Sequence, residues 1–410
     1  MNETRILSEE LWREPHLRIA LVTETYSPEI NGVAMTLERM VGGLIARGHR
    51  VQLIRPRQGR TDDARHDDGF DEVLAHGWKV PRYEGLLFGL PARSLLSRSW
   101  SRQRPDLVHV ATEGPLGWSA VSAAARLRIP VTSDFHTNFD HYSGHYGLGW
   151  LRQPVGAYLR RFHNRTARTF VPTKAMAHAL QERGYRRLFV VARGVDTALF
   201  RPAARSIELR REWGVGDDDP VVLSVGRLAA EKNLWLTVRA FRAIAERRPT
   251  ARMVFVGDGP LRAALAAQAP DAIFAGVRTG EELAAHYASA DVFLFPSLTE
   301  TFGNVTLEAL ASGLAVVAYD CAAAAELVRD GDNGLLADAG DETGFVMQAV
   351  RAAGDAQLRA RLAGSARALA CEQDWEAVND RFAAELVTVW CEATGATPTT
   401  SPSAITSRDG

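Results

Sequence analysis

Residues 17–54 read LRIALVTETYSPEINGVAMTLERMVGGLIARGHRVQLI, and this stretch decides the fold class. Leu17–Val22, which is apolar except for Arg18, predicts a short buried strand, and Val51–Ile54 predicts a second one. Between them, Ala34–Arg47 has the apolar spacing of a helix, which Gly48 ends. A strand, a loop, a helix and a second strand in this order are typical of the parallel, doubly wound sheet of an α/β protein.

The same alternation continues along the chain and predicts two such sheets. Arg193–Pro202 contains Gly194 and little apolar periodicity, so we expect a linker there. Further helices are expected at Pro115–Leu127, Leu234–Arg247 and Asn304–Ala311. Further strands are expected on both sides of the linker, at Leu107–Val110, Val131–Phe135, Thr169–Pro172, Leu188–Val191, Val221–Val225, Met253–Val256, Ile273–Ala275, Val292–Phe295, Ala315–Val317 and Leu335–Leu336.

The length of 410 residues exceeds what one hydrophobic core of ordinary size holds. We therefore expect an N-terminal domain over residues 1–194 and a C-terminal domain over residues 195–372. Residues 373–392 are apolar enough for a helix that docks back near the N-terminal domain. Residues 393–410 are rich in Thr, Ser, Pro and Ala, which predicts a disordered tail.

Composition excludes several classes of protein. Hydrophobic residues make up 46% and charged residues 24%, the proportions of a soluble globular protein. The three cysteines, Cys321, Cys371 and Cys391, have no C-x-x-C spacing, which argues against a disulfide framework or a zinc site and suits a reducing cytoplasm. The polar opening lacks a signal-peptide core, and no apolar run is long enough to span a membrane. A net charge of −1 and the absence of a recognisable module give nucleic-acid binding no support.

The charge is unevenly distributed along the chain. Residues 1–200 contain 28 Lys and Arg against 20 Asp and Glu, and the remainder contains 20 against 29. Much of the basic excess lies between Arg152 and Arg193. Such asymmetry either orients a protein on an anionic surface or reflects solvated helix faces, and the sequence is compatible with both interpretations.

Ligands of parallel sheets bind beyond the carboxyl ends of the strands, so the loops that follow strands are informative. In the first such loop, Gly32 precedes a helix and would let an anionic ligand approach the backbone closely. No G-x-G-x-x-G dinucleotide motif is present, and Gly32 can equally be an ordinary loop glycine. In a second loop, His136 follows a strand among polar residues, where it either binds a substrate or is a satisfied structural histidine.

The loop after Val221–Val225 reads GRLAAEKN and places two cations at a strand-to-helix turn. Arg227 offers a planar fork of donors and Lys232 a point charge, and both suit a phosphate group. Two cations near one helix N-terminus therefore favour a diphosphate site over two solvated surface charges. The run Asp217–Asp219 precedes a strand, the wrong edge for such a site, and is interpreted as a solvated turn.

The loop after Val292–Phe295 reads PSLTETFGNVTLEALASG and contains two carboxylates eight residues apart. Glu300 stands in the loop, and Glu308 lies about one turn inside a helix that Gly303 and Asn304 open. Carboxylates accept hydrogen bonds from sugar and ribose hydroxyls, and helix N–H groups between them suit phosphate. On spacing alone, a capping carboxylate and a solvated helical glutamate remain the alternative.

Four segments together resemble glycosyltransferase family 4: TYSPEINGV, GVDTALFRP, SVGRLAAEKN and PSLTETFGNVTLEALASGLAVVA, the last with an E-x7-E spacing. The resemblance implies the GT-B fold, in which two Rossmann-like, doubly wound parallel-sheet domains face a central cleft. It also implies transfer of a sugar from a nucleotide-diphosphate donor with retention of anomeric configuration. It further implies closure of the domains on the donor, about a hinge near Gly194.

The resemblance also implies a role for each candidate residue. Arg227 and Lys232 would hold the donor diphosphate and stabilise the leaving group without a metal or other cofactor. Glu300 would contact the transferred sugar, Glu308 would bind the ribose, and His136 would lie near the reacting centre. The remaining donor contacts would be Gly32 at the phosphates, the N–H groups of Phe302, Gly303, Asn304 and Val305 at the β-phosphate and sugar, and Val277 and Arg278 at the base.

Within the family, DFHTNFDHYSGHYGLGWL resembles the acceptor region of glycolipid-forming enzymes. Arg161, Arg165 and Arg168 have the spacing of one helical face, and with Arg152 and Arg160 they predict a contact with anionic lipid. This implies a peripheral enzyme on the inner face of the cytoplasmic membrane, with GDP-mannose the favoured donor, UDP-glucose the next, and a diacylglycerol-type lipid or glycolipid as acceptor.

Three alternatives remain. A GT-B glycosyltransferase of a polysaccharide or soluble acceptor would share these motifs. A nucleotide-sugar 2-epimerase would share the diphosphate site but is disfavoured by the motif around Glu300. A non-catalytic binding protein is disfavoured because Arg227, Lys232 and Glu300 are all present.

Overall fold

A computed structural model describes residues 15–29, 32–59, 61–79, 87–136, 152–297 and 302–396 of the chain. Within these ranges the chain forms an eight-stranded sheet, a six-stranded sheet and a two-stranded hairpin. Glu300, Asn31 and most of the segment DFHTNFDHYSGHYGLGWL lie outside the described residues.

The first sheet has the strand order β10-β9-β8-β7-β1-β2-β4-β3. Its strands are β1 (Arg18–Val22), β2 (Arg50–Pro56), β3 (His66–Asp67), β4 (Phe70–Ala75), β7 (Leu107–Val110), β8 (Val131–Asp134), β9 (Arg168–Val171) and β10 (Leu188–Val190), and the hairpin consists of β5 (Gly77–Lys79) and β6 (Leu87–Gly89). Strand β1 is central, pairs in parallel with β2 and β7, and is fully buried from Ile19 to Val22. Burial on both faces explains why Ile19–Val22 is an uninterrupted apolar run.

The helices of the first half follow the strands as the sequence predicts. They are α1 (Gly32–Ala46), α2 (Arg93–Arg102), α3 (Pro115–Leu127), α4 (Arg152–His163) and α5 (Lys174–Glu182). Pro115 occupies the first turn of α3, where its missing N–H costs nothing, and Arg128 ends the helix in a left-handed conformation. Thr173 caps α5 by accepting a hydrogen bond from the Met176 N–H.

The second sheet is parallel throughout its described pairs and has the strand order β13-β12-β11-β14-β15-β16. Its strands are β11 (Val221–Val225), β12 (Arg252–Val256), β13 (Ile273–Gly276), β14 (Val292–Phe295), β15 (Ala315–Tyr319) and β16 (Leu335–Ala337). The helices of this half are α6 (Ile207–Glu212), α7 (Leu234–Arg247), α8 (Arg262–Gln268), α9 (Gly280–Ser289), α10 (Asn304–Ala311), α11 (Ala322–Leu327), α12 (Glu342–Gly354), α13 (Ala356–Glu372) and α14 (Trp375–Thr394). The predicted doubly wound α/β architecture is therefore present in both halves.

Alternate residues of the second sheet point into two separate cores. Val221, Leu223 and Val225 pack with α9, α10 and α13 on one face. Val222 packs on the other face with α7, α8 and α12. Burying one such Val side chain contributes roughly 1.5–3 kcal/mol, so both layers hold the sheet and its strand-end loops in place.

The chain divides into two compact units. One comprises Met1–Asp134, Asn164–Thr169 and Arg381–Gly410, and the other comprises Phe135–His163 and Phe170–Asp380. Within the first unit, the Phe382 ring of α14 packs edge-on against His109 at 5.2 Å. The domain limits expected from the sequence, at residues 194 and 372, stay a prediction.

The prediction that Arg161, Arg165 and Arg168 share one helical face is wrong. Helix α4 ends at His163, so Arg165 and Arg168 lie beyond it and do not share a face with Arg161. The Arg165 guanidinium stacks 4.9 Å from the Trp118 ring centroid. Arg168 lies in β9, where its Nε is 2.9 Å from a carboxylate oxygen of Glu385. The helical spacing of the arginines continues in the sequence after the helix has ended and β9 has begun. The side chains of Arg165 and Arg168 contact other residues of the protein.

Candidate active site

Two loops at the carboxyl edge of the second sheet, those after β11 and β12, pack backbone against backbone. A Cβ atom at Gly257 would lie 2.0 Å from the carbonyl oxygen of Gly226, and one at Gly259 would lie 2.5 Å from that of Leu228. The Leu228 carbonyl also accepts a hydrogen bond from the Leu261 N–H at 2.9 Å. Only glycine permits this approach, and the result is a rigid support for the loop that follows β11.

The two candidate cations lie in that supported loop. Arg227 is exposed directly after β11. Lys232 ends a short 3₁₀ turn, Ala230–Lys232, and its ammonium group is 5.6 Å from the centroid of the Phe295 ring at the end of β14. The Ser297 hydroxyl donates to the Glu231 carbonyl at 3.2 Å, which joins the loops after β11 and β14. The geometry therefore brings the cation loop next to the loop of the predicted carboxylates.

Helix α10 begins after the loop that follows β14. Gly303 precedes the helix with φ +95°, a left-handed conformation that favours glycine, and provides no side-chain cap. The first N–H groups of any helix, here those of Asn304 and Val305, have no acceptor within the helix and attract anions. Phe302 is buried, and its carbonyl accepts from the Ala323 N–H at 2.8 Å, which fixes the start of the turn.

Glu308 projects from the second turn of α10 and meets a residue that the sequence did not reveal. The Tyr287 hydroxyl, fully buried on α9, donates a hydrogen bond to Oε2 of Glu308 at 2.8 Å. Burial raises the pKa of Glu308 to about 7, although the Tyr287 hydrogen bond acts in the opposite direction. Burial also raises the pKa of Tyr287 well above its ordinary value, so the phenol remains a donor. Glu308 is thus held in one orientation and ionises near neutral pH.

The residues expected near the base follow β13. Gly276 adopts φ +74° and turns the chain, and the Val277 side chain is 60% exposed. The Arg278 guanidinium pairs with Glu282 one helical turn later, at 3.2 Å. The planar guanidinium of an arginine can stack on a planar ring, and the exposed apolar side chain beside it adds a further apolar contact.

Two further candidates lie on the first sheet or next to it. His136 follows β8 with a 6% exposed side chain, and its Nδ1 is hydrogen-bonded to Nη2 of Arg193. Gly32 is the first residue of α1 and belongs to the other compact unit. Arg193 was not singled out from the sequence, although it directly precedes the quoted segment GVDTALFRP.

No group of three His, Cys, Asp or Glu residues with metal-site geometry occurs among the described residues. Asp217 and Asp218 are exposed in the turn before β11, and Asp219 there accepts a hydrogen bond from the Gly216 N–H at 2.8 Å. Over the same part of the chain, no helix combines the length and apolar character needed to cross a bilayer.

Comparison with known proteins identifies the family. Residues 30–199 match the family model described as Glycosyltransferase Family 4, and residues 219–355 match the one described as Glycosyl transferases group 1. A GDP-mannose-dependent alpha-mannosyltransferase of Mycobacterium tuberculosis is 35% identical over 368 residues, which cover 89% of this chain and 95% of the relative. An alpha-monoglucosyldiacylglycerol synthase of Streptococcus pneumoniae is 29% identical over 324 residues, which cover 74% of this chain and 71% of the relative.

Solved structures share the fold at lower identity. The sucrose-phosphate synthase of Thermosynechococcus elongatus superposes with a TM-score of 0.75 at 19% identity, covering 93% of this chain and all of that one. Anabaena HepE in complex with UDP-glucose gives a TM-score of 0.71 at 21% identity, covering 91% of this chain and all of that one. The two doubly wound α/β sheets agree with these relatives: the chain belongs to glycosyltransferase family 4 and is a GT-B enzyme that uses nucleotide sugars.

Proposed function

We propose that the enzyme transfers a hexose, with mannose favoured, from GDP-mannose to a membrane lipid such as diacylglycerol or a glycolipid, with retention of configuration. UDP-glucose is the next candidate donor. One observation carries the donor site: the loops after β11 and β14 adjoin, and they offer two cations, a helix N-terminus and a half-buried carboxylate. This set matches a diphosphate flanked by a ribose on one side and a sugar on the other.

In the proposed donor complex, Arg227 and Lys232 hold the diphosphate. The leaving group of the transfer is a nucleoside diphosphate, whose charge grows as the glycosidic bond breaks. Two fixed cations stabilise that charge as a divalent ion would, so we propose that the reaction needs no metal. The leaving phosphate then serves as the base for an acceptor hydroxyl that attacks from the same face, which retains the configuration without a protein nucleophile.

The remaining candidates take complementary positions. Glu308 accepts hydrogen bonds from the ribose hydroxyls, and the N–H groups at residues 302–305 bind the β-phosphate. Glu300 contacts the transferred sugar, His136 lies beside it, and Gly32 closes on the phosphates. Val277 and Arg278 contact the base.

The choice of donor is supported by relatives. The relative from Mycobacterium tuberculosis at 35% identity is named for GDP-mannose. UDP-glucose follows because HepE binds UDP-glucose in its structure. A lipid acceptor is supported by the relative named as a glucosyldiacylglycerol synthase.

A membrane partner is supported by an exposed surface in the first compact unit. Trp78 on β5 and Phe88 on β6 lie directly opposite each other and are 67% and 49% exposed. Cross-strand neighbours point to the same face, and the adjoining helix α2 contains three arginines and no acidic residue. We call this the hairpin surface, formed by Trp78, Phe88, Leu90, Arg93, Leu95, Arg98 and Arg102. Exposed aromatics beside a basic helix suit the interface of an anionic cytoplasmic membrane.

Replacement of Lys232 tests the donor site. Lys232→Ala should lower kcat by about 10²–10³-fold, or ~2.7–4 kcal/mol, because one preorganised charge at the leaving group is lost. Lys174→Ala, an exposed lysine on α5, is the matched control and should leave kcat unchanged. Sugar transfer is measured at saturating GDP-mannose with liposome-borne diacylglycerol. Turnover in Lys232→Ala equal to that of the control would refute the assigned role.

A further inference from the structure

Arg193 and His136 connect the ends of two strands through their side chains. His136 directly follows Phe135 after β8, and Arg193 lies three residues beyond β10. An Nη2 hydrogen of Arg193 points at Nδ1 of the His136 ring. The imidazole is almost entirely buried, and its Nε2 is buried as well.

The chemistry of the two groups assigns the proton on the ring. A guanidinium has five N–H donors and no acceptor, so Nδ1 of His136 must accept this hydrogen bond with its lone pair. A ring whose Nδ1 accepts carries its proton on Nε2. The contact therefore selects one tautomer, in which the other edge of the ring presents an N–H donor.

The backbone next to Arg193 is braced. A Cβ atom at Gly194 would lie 2.9 Å from the Cα of Trp375, so this position packs directly on the start of α14. The following N–H, of Val195, donates to the Gln373 carbonyl at 3.0 Å, and the Thr197 hydroxyl donates to the Asp374 carboxylate at 2.6 Å. The guanidinium is thus presented from a fixed segment.

We propose that Arg193 is a positioning residue, which holds His136 as the Nε2–H tautomer so that His136 acts in sugar transfer as a hydrogen-bond donor and not as a base. The inference rests on the proposed place of His136 beside the transferred sugar. It agrees with a reaction in which the leaving phosphate takes the acceptor proton, since no protein base is then needed. An Nε2–H group next to the sugar donates a hydrogen bond to a hydroxyl or ring oxygen, which accepts it with a lone pair.

The tautomer is measured directly by a two-bond nitrogen–proton correlation spectrum of the full chain with isotope-labelled histidine at neutral pH. Two buried histidines serve as internal references. Nδ1 of His49 accepts from the Leu17 N–H at 3.1 Å, which requires Nε2–H, whereas Nδ1 of His286 lies 2.7 Å from the Glu282 carbonyl, which requires Nδ1–H. The His136 signals, assigned by their loss in His136→Gln, should match the pattern of His49.

Substitutions of Arg193, with a control substitution of Arg201, test whether the contact between Arg193 and His136 affects kcat. Arg193→Met removes the donor and should give mixed tautomers with kcat about tenfold lower and KM changed less, the loss expected for one hydrogen bond. Arg193→Lys keeps a donor and should recover part of kcat. Arg201→Met, at an exposed position of the same segment, is the control and should behave as wild type. Transfer is assayed with GDP-mannose and diacylglycerol liposomes, and thermal unfolding checks that each variant is folded.

The outcomes separate the inference from the proposed function. A His136 signal with the proton on Nδ1 in the wild-type chain would overturn the inference, as would Arg193→Met with an unchanged tautomer and unchanged kcat. Wild-type turnover in His136→Gln would instead refute the proposed place of His136 and with it the catalytic half of the inference. Combining Arg193→Met with His136→Gln should lower kcat no further than His136→Gln alone.

Discussion

At the scale of single residues, Glu308 shows how a fold tunes one carboxylate. The motif spacing identifies the residue, but its ionisation depends on Tyr287, which lies 21 positions earlier and reaches it only through tertiary packing. Partial burial disfavours the charged form and raises the pKa of Glu308 to about 7. A group that titrates there makes donor binding sensitive to pH in the physiological range.

This predicts the direction of the pH dependence. In the proposed donor complex, ribose hydroxyls donate to the ionised Glu308 carboxylate, so GDP-mannose should bind most tightly above pH 7 and about tenfold more weakly for each pH unit below it, given a pKa of about 7. The Glu308→Gln side chain keeps the shape of glutamate but cannot ionise. The affinity of this variant for GDP-mannose should be low and should not change with pH in this range. Calorimetric titrations across the pH range measure both. Parallel pH profiles for the two proteins would contradict the ribose assignment.

At the scale of elements, α6 is joined to the second sheet by a buried arginine. Arg210 is 2% exposed, and its guanidinium donates to the Asp291 carboxylate at 3.1 Å and to the carbonyls of Ser289 and Asp219 at 2.9 and 2.8 Å. This network ties the turn before β11 to the start of β14. It therefore supports both strands whose loops form the candidate donor site.

Arg210→Met should lower the free energy of unfolding by about 3–5 kcal/mol, because it leaves a carboxylate and several carbonyls without their buried partner. Arg211→Met, at an exposed position of the same helix, should change it by less than about 0.5 kcal/mol. Denaturant titration followed by circular dichroism compares the two. Equal midpoints for both variants would show that the buried network contributes nothing to stability.

The hairpin surface makes a second prediction at the element scale. The double change Trp78→Ser and Phe88→Ser should abolish most binding to phosphatidylglycerol vesicles, since it removes the aromatic groups that we propose enter the membrane interface. Met347→Ser, at a position 65% exposed on α12, is the matched control. Flotation of vesicles with bound protein measures the effect. Undiminished binding by the double variant would assign membrane contact to another part of the chain.

At the scale of the whole molecule, the strands buried on both faces could be predicted because their apolar runs are continuous, as in Ile19–Val22 and Val292–Phe295. The loops that follow these strands could also be predicted as candidate sites. Residues directly after a parallel strand lie at the carboxyl edge of the sheet, where ligands bind. The sequence did not predict β3 to β6, because β3, β5 and β6 have only two or three residues each and because β4 (FDEVLA) mixes charged and apolar residues.

Contacts between distant segments could not be predicted in the same way. Arg193 lies 57 positions from His136, and nothing in local periodicity pairs them. The prediction of a shared helical face for Arg165 and Arg168 was wrong because the helical spacing of the arginines continues in the sequence beyond the end of α4. Local pattern thus fixes element type and strand-end position, while the partner of each side chain depends on how the elements pack.

The central claim, transfer of a sugar from a nucleotide donor to a membrane lipid, is tested most directly by product analysis. The purified full chain is incubated with anionic liposomes containing diacylglycerol, together with either GDP-mannose or UDP-glucose, and the lipids are examined by mass spectrometry. We predict a single hexose added to diacylglycerol with GDP-mannose, and its loss in Lys232→Ala. Binding of GDP-mannose by calorimetry without any glycosylated lipid would contradict the lipid acceptor, and a product formed only with UDP-glucose would contradict the choice of donor.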